Sequence, residues 1–141
     1  MLDFIAPAQR DTAVVMKAIR VLIVDDEATV LRGLRMRLGL EADINVVGEA
    51  ADGSAAIDLV ARLSPDVVLM DLRMPVMDGI EATRVLAGRK SGPAVVILSM
   101  RDDSATVALA GEAGAVGFVA KHCMDDGLPG EIRRAAAAKR R

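Results

Sequence analysis

Aromatic residues are almost absent from this chain of 141 residues, which carries two Phe and neither Tyr nor Trp. That scarcity argues against a single-stranded nucleic-acid platform, which works by stacking bases on rings. The core must instead be built from Val, Ile, Leu, Met and Ala. Cysteine occurs once, at Cys123. An internal disulfide and a paired-cysteine metal site are therefore excluded, and such usage suits a reducing cytoplasm. Excess positive charge is missing too: 18 Lys and Arg stand against 20 Asp and Glu, a formal net charge of −2. No global field draws in DNA or RNA. No apolar run approaches the roughly 18 residues that span a bilayer. The first residues lack the basic start and long apolar core of a signal peptide. What remains is 52% hydrophobic and 27% charged, a globular balance in a chain long enough for one domain. The expectation is a soluble, cytoplasmic domain that contacts neither membrane nor nucleic acid directly.

Short β-branched apolar runs recur at Ile19–Val24, Ile44–Val47, Val67–Met70, Val95–Leu98 and Val116–Val119. Runs apolar on both faces are the mark of parallel strands buried between helices. Helical stretches lie between them. Val30, Leu31, Leu34 and Leu38 share one face, and Ala55, Ala56, Leu59, Val60 and Leu63 form a second stripe closed by Ser64-Pro65. Ile80–Leu86, Ser104–Ala113 ended by Gly114, and Ile132–Ala138 supply three more. Strands alternating with helices predict a doubly wound α/β fold, a parallel sheet with helices on both faces. Residues 18–136 form the domain, residues 1–17 an N-terminal extension, and 137–141 a basic tail or the start of a linker.

In such sheets the functional crevice lies beyond the carboxyl ends of the strands. Asp25, Asp26 and Glu27 follow the first strand, Asp71 the third, Ser99 the fourth and Lys121 the fifth. Asp25, Asp26 and Asp71 brought together repel one another, and a desolvated trio needs a cation. Oxygen ligands without His or Cys suit a hard ion, Mg²⁺ in particular. A lysine and a hydroxyl beside them are partners for phosphoryl oxygens, and an Asp carboxylate is a known covalent phosphoryl acceptor.

VLIVDDE at 21–27, DLRMPVMDG at 71–79, LS at 98–99 and GAVGFVAK at 114–121 together resemble the receiver domain of bacterial two-component response regulators. GEAADG at 48–53 and the non-proline His122 after the lysine further resemble the NarL/LuxR-type subfamily, whose receivers usually precede a DNA-binding domain. The resemblance covers residues 19–136 and implies a flavodoxin-like (CheY-like) five-stranded sheet in the order 2-1-3-4-5. It implies that Asp71 accepts a phosphoryl group from a sensor histidine kinase or phosphotransfer protein. It further implies that Asp26, Asp71 and the backbone carbonyl of Arg73 hold Mg²⁺, with Asp25 acting through water. Lys121 would pair with the phosphoryl group, Ser99 would bond to it and shift, and Phe118 would turn inward as the second switch residue. The surface of the fourth helix, fifth strand and fifth helix would carry the output and offer a homodimer contact. That output would be transcription control through a DNA-binding domain absent from this chain. On this reading the protein transfers phosphate to itself and loses it, but is not a turnover enzyme.

Plainer readings stand beside these. Asp25, Asp26 and Ser99 suit helix N-caps, Phe118 suits a core, His122 an ordinary loop, and Cys123 a small, partly buried thiol. The methionines Met70, Met74 and Met77 suit packing. A stand-alone or degenerate receiver acting as an interaction module is the alternative function, motivated by Pro129-Gly130 in the fifth helix. Those residues predict a late helix start, with Pro129 in its first turn. A phosphatase of another doubly wound family would place a second acid two residues after its nucleophile, where Arg73 stands.

Overall fold

The structure, a computed structural model, describes residues 17–139. The expected extension therefore lies, except for Lys17, outside the described residues, as do Arg140 and Arg141 of the basic tail. Five parallel strands, β1 (Ile19–Val24), β2 (Ile44–Ala50), β3 (Val67–Asp71), β4 (Ala94–Ser99) and β5 (Gly117–Ala120), pair in the order β2-β1-β3-β4-β5. The helices are α1 (Ala28–Leu38), α2 (Gly53–Leu63), α3 (Gly79–Ala87), α4 (Ser104–Ala113) and α5 (Met124–Lys139), with a 3₁₀ turn at Lys121–Cys123 before the last.

The continuous apolar runs have a direct cause. Alternate strand residues point to opposite faces, and both faces are covered. Val21, Ile23, Val67, Leu69, Val96 and Leu98 pack with Leu34 and Leu38 of α1 and Leu128, Ile132 and Ala135 of α5. Leu22, Val24, Val68, Met70, Val95 and Ile97 pack with Ala56 and Val60 of α2, Ala82 and Leu86 of α3, and Ala110 of α4. Two apolar layers sandwich one sheet. Burial of this kind stabilises by about 25 cal/mol per Å² of apolar surface removed from water.

Local chemistry sets the helix ends. Asp52, Asp78 and Asp103 cap α2, α3 and α4, each side chain accepting from the backbone N–H three residues on. At the far end of α2, Ser64 takes a left-handed φ of 48°. The Arg20 guanidinium donates to the carbonyls of Leu63 and Ser64 at 2.5 and 2.9 Å, satisfying two helix-end acceptors. Gly114 ends α4 with φ +111°, as its position in the sequence suggests.

Two expectations need correction. β2 runs on to Ala50 because its pairing slips between Val21↔Val46 and Leu22↔Gly48, leaving Val47 as a bulge. α5 begins at Met124, not near Pro129, which lies inside the helix. Burial decides this: Leu128 and Pro129 are both buried against the sheet, and tertiary packing overrides intrinsic propensity. The proline supplies no N–H for the Asp125 carbonyl four residues back. The Arg37 guanidinium approaches that carbonyl at 3.4 Å instead.

Candidate phosphoryl site at the carboxyl edge of the sheet

The strand order reverses direction between β1 and β3, and the chemistry sits at that switch point. Asp25 follows β1, Asp71 ends β3, Ser99 ends β4 and Lys121 follows β5. Asp25, Asp71 and Ser99 are buried while Asp26 is exposed. Carboxylate oxygens of Asp25, Asp26 and Asp71 all lie within 4.8 Å of one another. The Lys121 ammonium donates to Asp25 Oδ2 at 2.8 Å and lies 3.1 Å from Asp71 Oδ1. Asp25 is engaged on both sides, since its Oδ1 accepts the Glu27 N–H at 2.9 Å. Neither acid caps α1, whose N-cap is Glu27 without a side-chain bond.

Electrostatics follow from this crowding. Burial, joined by the charges of Asp25 and Asp26, pushes the Asp71 carboxyl above the usual carboxylate range, although Lys121 opposes the rise. Burial pulls the Lys121 ammonium down, but its bonds to Asp25 and Asp71 outweigh that and hold it above its ordinary value. Three carboxylates face one ammonium, all donors are oxygen, and the arrangement fits a hard divalent cation.

The loop from Leu72 to Asp78 frames the site. Gly79 is required by room rather than by an unusual turn: it has no positive φ, yet a Cβ there would stand 2.0 Å from the Asp71 carbonyl oxygen. Its N–H donates to Leu72 O at 2.9 Å, and the buried Thr83 hydroxyl donates to its carbonyl at 2.6 Å. Val76 is the centre of a γ-turn, with φ +69° and the Met77 N–H donating to Pro75 O at 2.7 Å. Positive φ at a β-branched residue is strained.

An open cleft of about 520 Å³ lies over these groups, lined by Asp26, Asp71, Arg73, Ser99 and Lys121. Arg101 lines it too and was not foreseen. It stands two residues after Ser99 as Arg73 stands two after Asp71, and its N–H donates to Ser99 Oγ at 3.0 Å. Ser99 does not cap α4; Asp103 does. Phe118 is half-buried against the α2–α4 layer and also lines a groove between α4 and α5. Met70, Met74 and Met77 pack in that same layer. His122 is exposed in the 3₁₀ turn rather than in a loop, 3.9 Å from Asp102. Cys123 is exposed rather than partly buried.

A parallel sheet in this order with this acid-lysine edge defines the receiver class, and the chain belongs to the response regulator receiver domain family, matched over residues 21–133. Its relatives include regulators of the NarL/LuxR type and also protein-glutamate methylesterases. It is 42% identical to the transcriptional regulatory protein LiaR of Bacillus subtilis, over 84% of this chain and 56% of that protein. It is 37% identical to the transcriptional regulatory protein DegU of Brevibacillus brevis, over 78% and 47%. The fold superposes on a LuxR-family two-component response regulator of Aurantimonas with a TM-score of 0.81 and 36% identity, covering 86% of each chain. The chain thus spans about half the length of the curated relatives. Among the described residues no helix is long and apolar enough to cross a membrane.

Proposed function

We propose that residues 18–136 form a phospho-accepting receiver, with Asp71 as the acceptor. The observation that carries this is the cluster of three carboxylates within 4.8 Å, two of them bonded by Lys121, at the switch point of the sheet. An Asp71 oxygen attacks the phosphorus of a phosphohistidine on a sensor kinase or phosphotransfer protein. The P–N bond breaks, the imidazole leaves, and an acyl phosphate forms on Asp71. Asp26, Asp71 and the Arg73 carbonyl would hold Mg²⁺, with Asp25 acting through water, and the bound ion would neutralise charge on the transferring group. Lys121 turns from Asp25 toward the phosphoryl oxygens, and Asp25 keeps the Glu27 N–H as its remaining partner.

Ser99 is the natural partner of the new anion, since its hydroxyl is buried at the end of the adjacent strand. Its shift draws the loop before α4 inward, and Phe118 turns further into the groove beside it. The face formed by α4, β5 and α5 then carries the signal, through a homodimer or to an output domain. Relatives such as LiaR and DegU are transcriptional regulators about twice as long, which supports a DNA-binding output, whereas the methylesterase relatives carry a different one. The interaction-only alternative rests on a late start of the fifth helix at Pro129-Gly130, and α5 instead starts at Met124 and runs to Lys139.

The test is incubation with acetyl phosphate and Mg²⁺ followed by intact mass measurement. One phosphoryl group per chain is expected, none in EDTA. Equal masses with and without Mg²⁺ and donor would refute the assignment.

A further inference from the structure

The Leu72–Asp78 loop carries Arg73 and frames the cleft, yet one of its two anchors lies outside the strand and helix that flank it. The Leu72 end is held by the Gly79 N–H. The Met77 end is held from α2: the Gly53 N–H, at the first residue of that helix, donates to Met77 O at 2.9 Å. Gly53 is buried and has no positive φ, so its lack of a side chain serves close approach. A Cβ at Gly53 would stand 2.7 Å from Met77 O, 2.9 Å from Ala82 Cβ and 3.0 Å from Met77 Cγ. Glycine is the one residue that lets α2, α3 and the acceptor loop meet at a single point. Between the anchors sits the strained γ-turn at Val76, whose side chain is 84% exposed and gains nothing from packing. A γ-turn of this hand does not persist unless its surroundings hold it.

We propose that Gly53 is a positioning residue of the phosphoryl site, fixing the Arg73 carbonyl and the Asp71 mouth by pinning Met77. The inference rests on the receiver reading given above. It makes the start of α2, which contributes no side chain to the cleft, a structural part of the acceptor machinery. A methyl at Gly53 must push Met77 O away, and the only freedom available to the loop lies along Leu72–Asp78.

Gly53→Ala tests this beside Asp52→Ala. The latter removes the α2 cap, whose carboxylate accepts the Ala55 N–H at 2.8 Å, and leaves Gly53 and Met77 untouched. Mg²⁺ affinity is read by calorimetry and phosphorylation by the rate of mass gain from acetyl phosphate. Gly53→Ala is expected to weaken Mg²⁺ binding and slow phosphorylation at least tenfold. Asp52→Ala, though destabilised, should stay within twofold of the wild type on both. Gly53→Ala within twofold of the wild type, or both variants losing Mg²⁺ equally, would overturn the proposal. Should Gly53→Ala not fold, the wild-type Gly53 amide resonance decides. It is expected to move with Mg²⁺ while those of Gly33 and Gly111, which touch nothing within 4 Å of their missing Cβ, stay still. An unmoved Gly53 resonance is contrary. A wild-type chain that takes up neither Mg²⁺ nor phosphate refutes the receiver reading and this inference together. Indifference of Gly53→Ala in an otherwise competent protein refutes the inference alone.

Discussion

Lys121 lies closer to Asp25 than to Asp71, at 2.8 Å against 3.1 Å. Among the described residues its ammonium is the one cation joined to both buried acids. Lys121→Met leaves those carboxylates uncompensated, and a cost of about 3 kcal/mol is expected at neutral pH, read by urea denaturation. The pH dependence has a definite sign. The Lys121 pKa is raised on folding, so its contribution is full below the ordinary 10.5 and fades as pH climbs through the higher folded value. The gap between wild type and variant should close in strong alkali, where the ammonium is lost, and also narrow in acid, where the carboxylates it compensates are protonated.

Asp71 behaves in the opposite sense. Its folded pKa is raised above the ordinary 3.8, so its favourable contribution is present below that pH and is lost as pH rises through the folded value. At neutral pH the ionised carboxylate is therefore a liability to the fold. Asp71→Asn should melt at a higher temperature than the wild type at pH 7 without Mg²⁺, with the advantage vanishing in acid. A lower melting temperature at pH 7 would show that the Lys121 bond outweighs burial.

Magnesium should reverse that ranking. A ligand that binds only the folded state stabilises by about 2.7 kcal/mol at a hundredfold excess over its Kd. The wild type is expected to gain that in saturating Mg²⁺ and lose it on adding EDTA. Asp26→Asn and Asp71→Asn should gain little, by differential scanning calorimetry.

Val76 offers a stabilising substitution. Its φ of +69° in a γ-turn is costly for a β-branched residue, by roughly 1–3 kcal/mol, and Asn enters positive φ more readily than Val. Val76→Asn should raise stability by about 1 kcal/mol, since 84% of the side chain is already in water.

Pro129→Ala should also stabilise. The new N–H completes the helical bond to the Asp125 carbonyl, worth about 1 kcal/mol. Amide exchange over residues 124–130 is expected to slow with it.

The sheet was legible because its strands are apolar on both faces, a pattern that depends on sequence period alone. The acids and lysine were legible because strand ends in this topology converge. Features made by tertiary contact were not. The bulge at Val47 hid the end of β2 behind the polar pair Gly48-Glu49. Pro129 and Gly130 argue against a helix on propensity, and only the burial of Leu128 and Pro129 shows why one forms. Nothing in the sequence shows that the Asp71 carbonyl lies against Gly79. Gly53 carries no signal beyond its place after a capping Asp, because its contact with Met77 joins segments 24 residues apart in sequence. Arg101 had a faint signal, the same two-residue offset that places Arg73 after Asp71.

The most direct measurement of the central claim is peptide mapping of the chain after reaction with acetyl phosphate and Mg²⁺. Acceptor chemistry at Asp71 predicts one phosphoryl group, on the peptide that contains it, and none in Asp71→Asn. A phosphoryl group on any other residue of the wild type, or undiminished uptake by Asp71→Asn, would contradict it.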